Sequence, residues 1–144
     1  MQTQNYKNHR QVVTGYHFIL LPLILIILGG SVWNFYRAYD AQSGRLSAAL
    51  IFALSVAGSI FYIYTRSFAL RAQDRVIRAE ENMRHFFLAG KPLDSRLRMG
   101  QIIALRFAED SEFVTLAQKA IDENLRADAI KQEIKNWKSD TYRV

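Results

Sequence analysis

Residues 46–88 constrain this chain more than any other stretch. They carry no charge between Arg45 and Arg66, and neither Pro nor Gly between Gly58 and Gly90. The first half, Leu46 to Thr65, is long enough to cross a bilayer, which takes roughly 20 apolar residues. The second half, Arg66 to Leu88, has helix-forming composition, with Asp74 and Arg78, and Glu80 and Arg84, at i,i+4 spacing. The pattern predicts one helix that leaves a membrane and enters water. At about 1.5 Å per residue it would be on the order of 60 Å long.

Upstream, residues 11–36 also lack Lys, Arg, Asp and Glu, and Phe18 to Trp33 form a first apolar span. A cleaved signal peptide would show an apolar region of about 7–15 residues and then a small-residue cleavage site. This block is longer and is followed by the bulky Asn34, Phe35 and Tyr36, so it reads as a retained span. Tyr16, His17, Trp33, Tyr36, Tyr39, Tyr62 and Tyr64 flank the spans, where rings with a polar edge favour the headgroup level. The connection from Arg37 to Arg45 is short and contains Ser43-Gly44, which makes the pair an antiparallel hairpin. Lys7 and Arg10 precede the first span, and Arg66, Arg71, Arg75 and Arg78 follow the second. The loop holds Arg37 and Arg45 with Asp40. The positive-inside rule then puts both termini in the cytoplasm.

The formal charge of +6 is concentrated in residues 66–98, and residues 99–144 are close to neutral. A basic excess beside a membrane attracts anionic headgroups, at about 1 kcal/mol per cation near the surface. No groove-reading motif accompanies it, which argues against nucleic acid as a partner. Neither span contains an ionisable residue of the kind that pumps and proton relays need at membrane depth. Small residues do occur there: Gly29, Gly30 and Ser31 in the first span, and Ala53, Ser55, Ala57, Gly58 and Ser59 in the second. They permit close helix approach, within the hairpin or onto another membrane protein or a second copy.

After the second span, Ala69, Val76 and Met83 recur every seven residues, as do Ala72, Ala79 and Phe86. This short a/d seam suits either a second helix or a small domain folding back on the stem. Phe86, Phe87 and Leu88 are expected to plug into that domain. Gly90 and Pro92 stop the helix. Asp94 or Ser95 is expected to cap a buried helix over about 96–108, in which Gln101 needs a polar partner. Asp110 and Ser111 open a third helix with the stripe Phe113, Leu116, Ala117, Ala120 and Ile121. After a turn at Asn124, a fourth helix places Ile130, Ile134 and Trp137 on one face, the stripe ending at Trp137. The fold class is thus all-α: a two-helix transmembrane hairpin, the second span continuing as a long cytoplasmic helix, then a small bundle of about three helices. In residue terms this is a cytoplasmic segment 1–15, spans 16–36 and 46–65 joined by an external loop 37–45, a stem 66–88 and a helical domain 93–144.

No reactive constellation stands out. With no Cys, disulfides and Cys-ligated metals are excluded. His9, His17 and His85 have no ligand spacing, and Gly90-Lys91 lacks the rest of a phosphate loop. Asp140 and Arg143 are at i,i+3, a surface pair if the last turn is helical. The expectation is no enzyme, no cofactor and no metal.

Several segments taken together resemble a known family. They are Gln4-Asn5-Tyr6-Lys7-Asn8-His9, Gln73-Asp74-Arg75-Val76-Ile77-Arg78, Gly100-Gln101-Ile102-Ile103-Ala104-Leu105-Arg106-Phe107-Ala108, and Ile134-Lys135-Asn136-Trp137 with Asp140, Arg143 and Val144. In this order they resemble short bacterial two-span inner-membrane proteins known only as a domain of unknown function, some carrying the label of transporter permease. Nothing in two uncharged spans supports that label. Arg126 departs from the resemblance, which leads one to expect a short capping residue there. The resemblance implies a polar set, Gln73, Asp74, Arg75, Gln101, Arg106, Asn136, Asp140 and Arg143, which either docks the small domain on the stem or forms a contact surface. The sequence reads as a non-catalytic membrane-anchored interaction or accessory protein, with anionic lipid and a membrane-protein partner or homo-oligomer as its company. A self-associating channel or permease subunit, and membrane-surface nucleic-acid binding by the stem, are the alternatives.

Overall fold

The computed structural model describes Asn5, Tyr6 and residues 12–139, and among these it is all-helical, with no sheet. A six-residue π-helical stretch, Gly15–Leu20, leads into α1, Leu21–Asp40. Pro22 accounts for the change of winding. It lacks an N–H and its ring crowds the carbonyl four residues back, so the preceding turn relaxes to the wider i→i+5 form. The connection is only residues 41–44, with Gln42 at φ 56° and Gly44 at φ 69°. Then α2 runs unbroken from Arg45 to Ala89, 45 residues, as the composition requires. It ends at Gly90, whose φ of 67° lets its N–H close on the Phe86 carbonyl at 2.9 Å.

The chain divides into two compact units, one formed by Val12–Ala69, the other by the residues from Leu70 on, with Tyr6 against Gln132. The first unit is the hairpin. Gly15–Asp40 and Arg45–Ala89 are each long and apolar enough to cross a membrane, and only 6% and 11% of their most apolar stretches is buried. Leu, Ile and Phe side chains point outward all along the hairpin. Between the helices, Ser31 and Ser55 are buried with their hydroxyls 2.8 Å apart. Tyr16 stacks on Tyr62 at 4.2 Å and donates to its carbonyl at 2.6 Å. Ser31 and Ser55 thus lie within the hairpin, whereas Gly29, Gly30 and Gly58 face open space.

In the second unit α2's last turns are followed by α3, Met99–Leu105, α4, Asp110–Asp122, and α5, Ala127–Glu133. The buried core centres on Leu105, Phe107, Phe113 and Ile130. The α4 stripe buries as its spacing predicts, with Phe113, Leu116, Ala117 and Ala120 inside. Three local expectations are corrected. The α3 helix is shorter than 96–108, and Arg98, not Asp94 or Ser95, precedes it. Asp94 instead ties the turn before it, accepting from the Arg96 backbone at 2.9 Å and from its guanidinium at 2.7 Å. The fourth helix stops at Glu133, because Ile134 turns extended at ψ 118°. Trp137 then pairs with Ala108 in an isolated antiparallel bridge, with the Lys138 N–H on the Phe107 carbonyl at 2.8 Å. Burial on Phe107, 5.3 Å between rings, outweighs continuing a short helix. Arg126 stands at the N-cap of α5 and supplies no side-chain cap bond.

Phe113→Ala is expected to cost about 3–5 kcal/mol through the cavity it leaves, and Gly90→Ala about 1–2 kcal/mol through the left-handed φ it would have to adopt. Thermal unfolding followed by Trp137 emission in a Trp33→Phe background measures both, and equal losses would contradict the core placement.

Candidate functional site

The most elaborate polar arrangement lies where the distal turns of α2 meet α3 and α4. It begins with helical spacing: Ile77, Glu81, Arg84 and His85 fall on one side of α2. All are buried except Arg84, which is mostly covered. Arg84 donates from Nε to Asp110 Oδ1 at 2.6 Å, from Nη1 to Glu81 Oε2 at 3.0 Å and from Nη2 to the Ala108 carbonyl at 2.7 Å. Its guanidinium also lies 4.3 Å from the Phe113 ring centroid. The planar fork lets one side chain join the helix to both the α3–α4 junction and the start of α4. The sequence pairing of Glu80 with Arg84 is therefore replaced by Glu81 and Asp110. Asp74 and Arg78 form no ion pair with each other among the described residues.

Burial raises the Glu81 carboxyl above its ordinary value of 4.5, with Arg84 opposing the shift. His85 donates from Nδ1 to the Lys91 carbonyl at 2.7 Å and sits edge-on to Phe113 at 5.9 Å. Asn82 Oδ1 accepts the Leu93 N–H at 2.8 Å. Together these bonds fold the connection after Gly90 back along α2. The carboxyl of Asp94, held by Arg96, drops to about 2.

Phe86, Phe87 and Leu88 do not plug into the bundle: they are 51%, 79% and 43% exposed. The bundle instead covers the polar side of the helix, because Arg84 satisfies both a buried carboxylate and a buried carbonyl there. The seam from Ala72 to Phe86 is left uncovered as well.

The polar set drawn from the sequence is dispersed. Gln73 and Asp74 are half-buried on α2 and Arg75 is exposed. Among the described residues, no hydrogen bond or ion pair links these three to Gln101, Arg106 or Asn136. Gln101 is buried and finds the partners it needs. Its Oε1 accepts the Arg98 N–H at 2.7 Å, and its Nε2 donates to the Leu125 carbonyl at 2.9 Å. Arg106 is buried, its guanidinium 4.9 Å from the Phe107 ring. Asn136 donates its backbone N–H to Glu112 Oε1 at 3.0 Å. Asp140 and Arg143 lie outside the described residues, as does His9.

A shallow groove of about 320 Å³ beside His85 is lined by Leu93, Leu97, Val114 and Ile121. No group of three or more His, Asp and Glu side chains able to hold a metal occurs among the described residues. What the arrangement does chemically is fix one helix against another.

An all-helical chain with two candidate spans and a three-helix unit is the class these features define. The chain belongs to a family of unknown function, DUF6526, whose pattern it matches over residues 1–144. No curated protein and no solved structure matches it.

Arg84→Lys is expected to lower stability by about 2–3 kcal/mol, since a point charge cannot replace the fork and leaves a buried acceptor unmet. Urea unfolding of the detergent-solubilised chain tests this, and unchanged stability would remove Arg84 from its structural role. Because the Glu81 pKa is raised in the fold, its contribution is fully present below 4.5 and is lost as pH rises through the folded value. The stability of the native chain relative to Glu81→Gln should therefore fall as pH rises above 4.5. A parallel pH dependence of the two chains would sink that assignment.

Proposed function

We propose that this protein is a non-catalytic, membrane-anchored interaction or accessory protein that presents a small helical domain to the cytoplasm. The supporting observation is a hairpin that is apolar and yet hardly buried. Exposed Phe18, Ile26, Trp33, Leu46, Leu54 and Phe61 require an apolar medium around them. In the core of a soluble protein such helices would be covered. On this reading residues 16–36 and 46–65 cross the membrane, 37–45 face outward, and 66–88 lead to the domain at 93–144. The membrane is the bacterial inner membrane, and both termini are cytoplasmic. Arg66, Arg71, Arg75 and Arg78 give the emerging helix a basic collar that suits anionic headgroups.

The polar residues of the domain fit this role. Arg84, Gln101 and Glu112 are engaged by other groups of the fold, which favours a rigid module over a reaction centre. The partner is expected to be another membrane protein or a second copy.

Alkaline carbonate washing of native membranes should leave the protein in the pellet, and protease added outside sealed spheroplasts should spare both termini. Release into the supernatant, or removal of a terminal tag from outside, would overturn the anchoring or the topology respectively. Purification in mild detergent should carry a stoichiometric partner or an intact homo-oligomer; a lone monomer would end the accessory reading.

A further inference from the structure

The distal half of α2 has two sides, and the bundle occupies only one. Ile77, Glu81, Arg84 and His85 lie under it. At about 100° per residue, Ala72, Val76, Ala79, Met83 and Phe86 project from the opposite side. Val76 is 54% exposed, Met83 57% and Phe86 51%, and both alanines are exposed. The spacing is that of heptad a and d positions: Val76 and Met83 at a, Ala72, Ala79 and Phe86 at d. The rim of this face is charged in a particular way. Arg75 occupies the g position and Glu80 the e position five residues on. Both are exposed, and neither has an ion pair among the described residues.

We propose that this face is the contact between two copies of the chain, their α2 helices pairing side by side, parallel and in register. In that arrangement Arg75 of each copy meets Glu80 of the other, the g-to-e pairing that selects parallel partners. An antiparallel pair would not bring them together in this way. The small Ala residues at two d positions permit close approach of the helices. The charge pattern also distinguishes a second copy from a lipid surface, since Glu80 on the rim would face anionic headgroups. The seam is too short to hold two free helices in water. The inference therefore rests on the anchoring proposed above: two copies in one membrane emerge in the same direction and at high effective concentration.

Because the chain has no Cys, single cysteines report this contact directly. Val76→Cys and Met83→Cys are placed on the seam, and Arg78→Cys on an exposed position off it, each in the full chain in native membranes. Mild oxidation should convert most of the first two to a species of twice the 16.6 kDa chain mass and little of the third. Arg75→Glu added to Val76→Cys should remove most of that species, and Glu80→Arg added to both should restore it. No dimer at either seam position, equal dimer at all three, or cross-linking only to a protein of different mass overturns the proposal. Failure of the double reversal to restore the dimer overturns the parallel register. Carbonate washing of the same membranes separates the two readings. Retained chain without seam cross-links refutes the pairing alone. Cross-linked chain released by the wash upholds the seam and refutes the anchor. Trp137 emission of each variant, purified and carrying Trp33→Phe, confirms that the bundle is still folded.

Discussion

The C-terminal unit depends on one guanidinium. Without Arg84, the side of α2 that faces the bundle would bury Glu81 without its hydrogen-bonded ion-pair partner and leave the Ala108 carbonyl without its side-chain donor. A buried carboxylate is tolerated only when paired and hydrogen-bonded. Arg84 meets both needs and covers the Phe113 ring, so polar and apolar packing meet at a single residue. That combination allows seven-residue helices such as α3 and α5, too short to persist alone, to hold their places.

Gln101 performs the corresponding task inside the bundle. Its amide joins the start of α3 to the chain between α4 and α5, across 24 residues of sequence. The two polar nodes therefore divide the work. One fixes the bundle to α2 and the other fixes the bundle's own connections. Leu105, Phe107, Phe113 and Ile130 fill the space between them.

The sequence made some of this legible and hid the rest for identifiable reasons. The extent of α2 was readable because nothing interrupts it before Gly90, and the α4 stripe because a 3.6-residue period has one meaning. Gln101 was recognisable as a polar residue amid apolar neighbours. The docked side of α2 was not, because Val76, Met83 and Phe86 look more burial-prone than Glu81, Arg84 and His85. Periodicity ranks faces by apolarity, whereas here a charge network compensated the buried face. The end of α5 was hidden because Ile134 and Trp137 sit at i,i+3. That spacing suits a helix, and an extended strap lying on Phe107 buries the same two side chains. The candidate polar set was only partly coherent: Gln101 has a structural task, while Gln73, Asp74 and Arg75 have no hydrogen-bonded link to it.

In the hairpin, Ser31 and Ser55 illustrate how few protons such a contact has to share. Each hydroxyl lies 2.7 Å from a carbonyl of its own helix, Leu28 and Phe52 respectively, and the two oxygens are 2.8 Å apart. Three close contacts are served by two protons. One hydroxyl donates across the helices while the other donates to its own carbonyl, and the two can exchange these roles. The crossing is therefore defined less by a directed bond than by the small volume of the two residues. Alanine at either position preserves that volume, and the remaining hydroxyl keeps its own carbonyl. A branched side chain keeps neither the volume nor the approach, so what this contact selects is size.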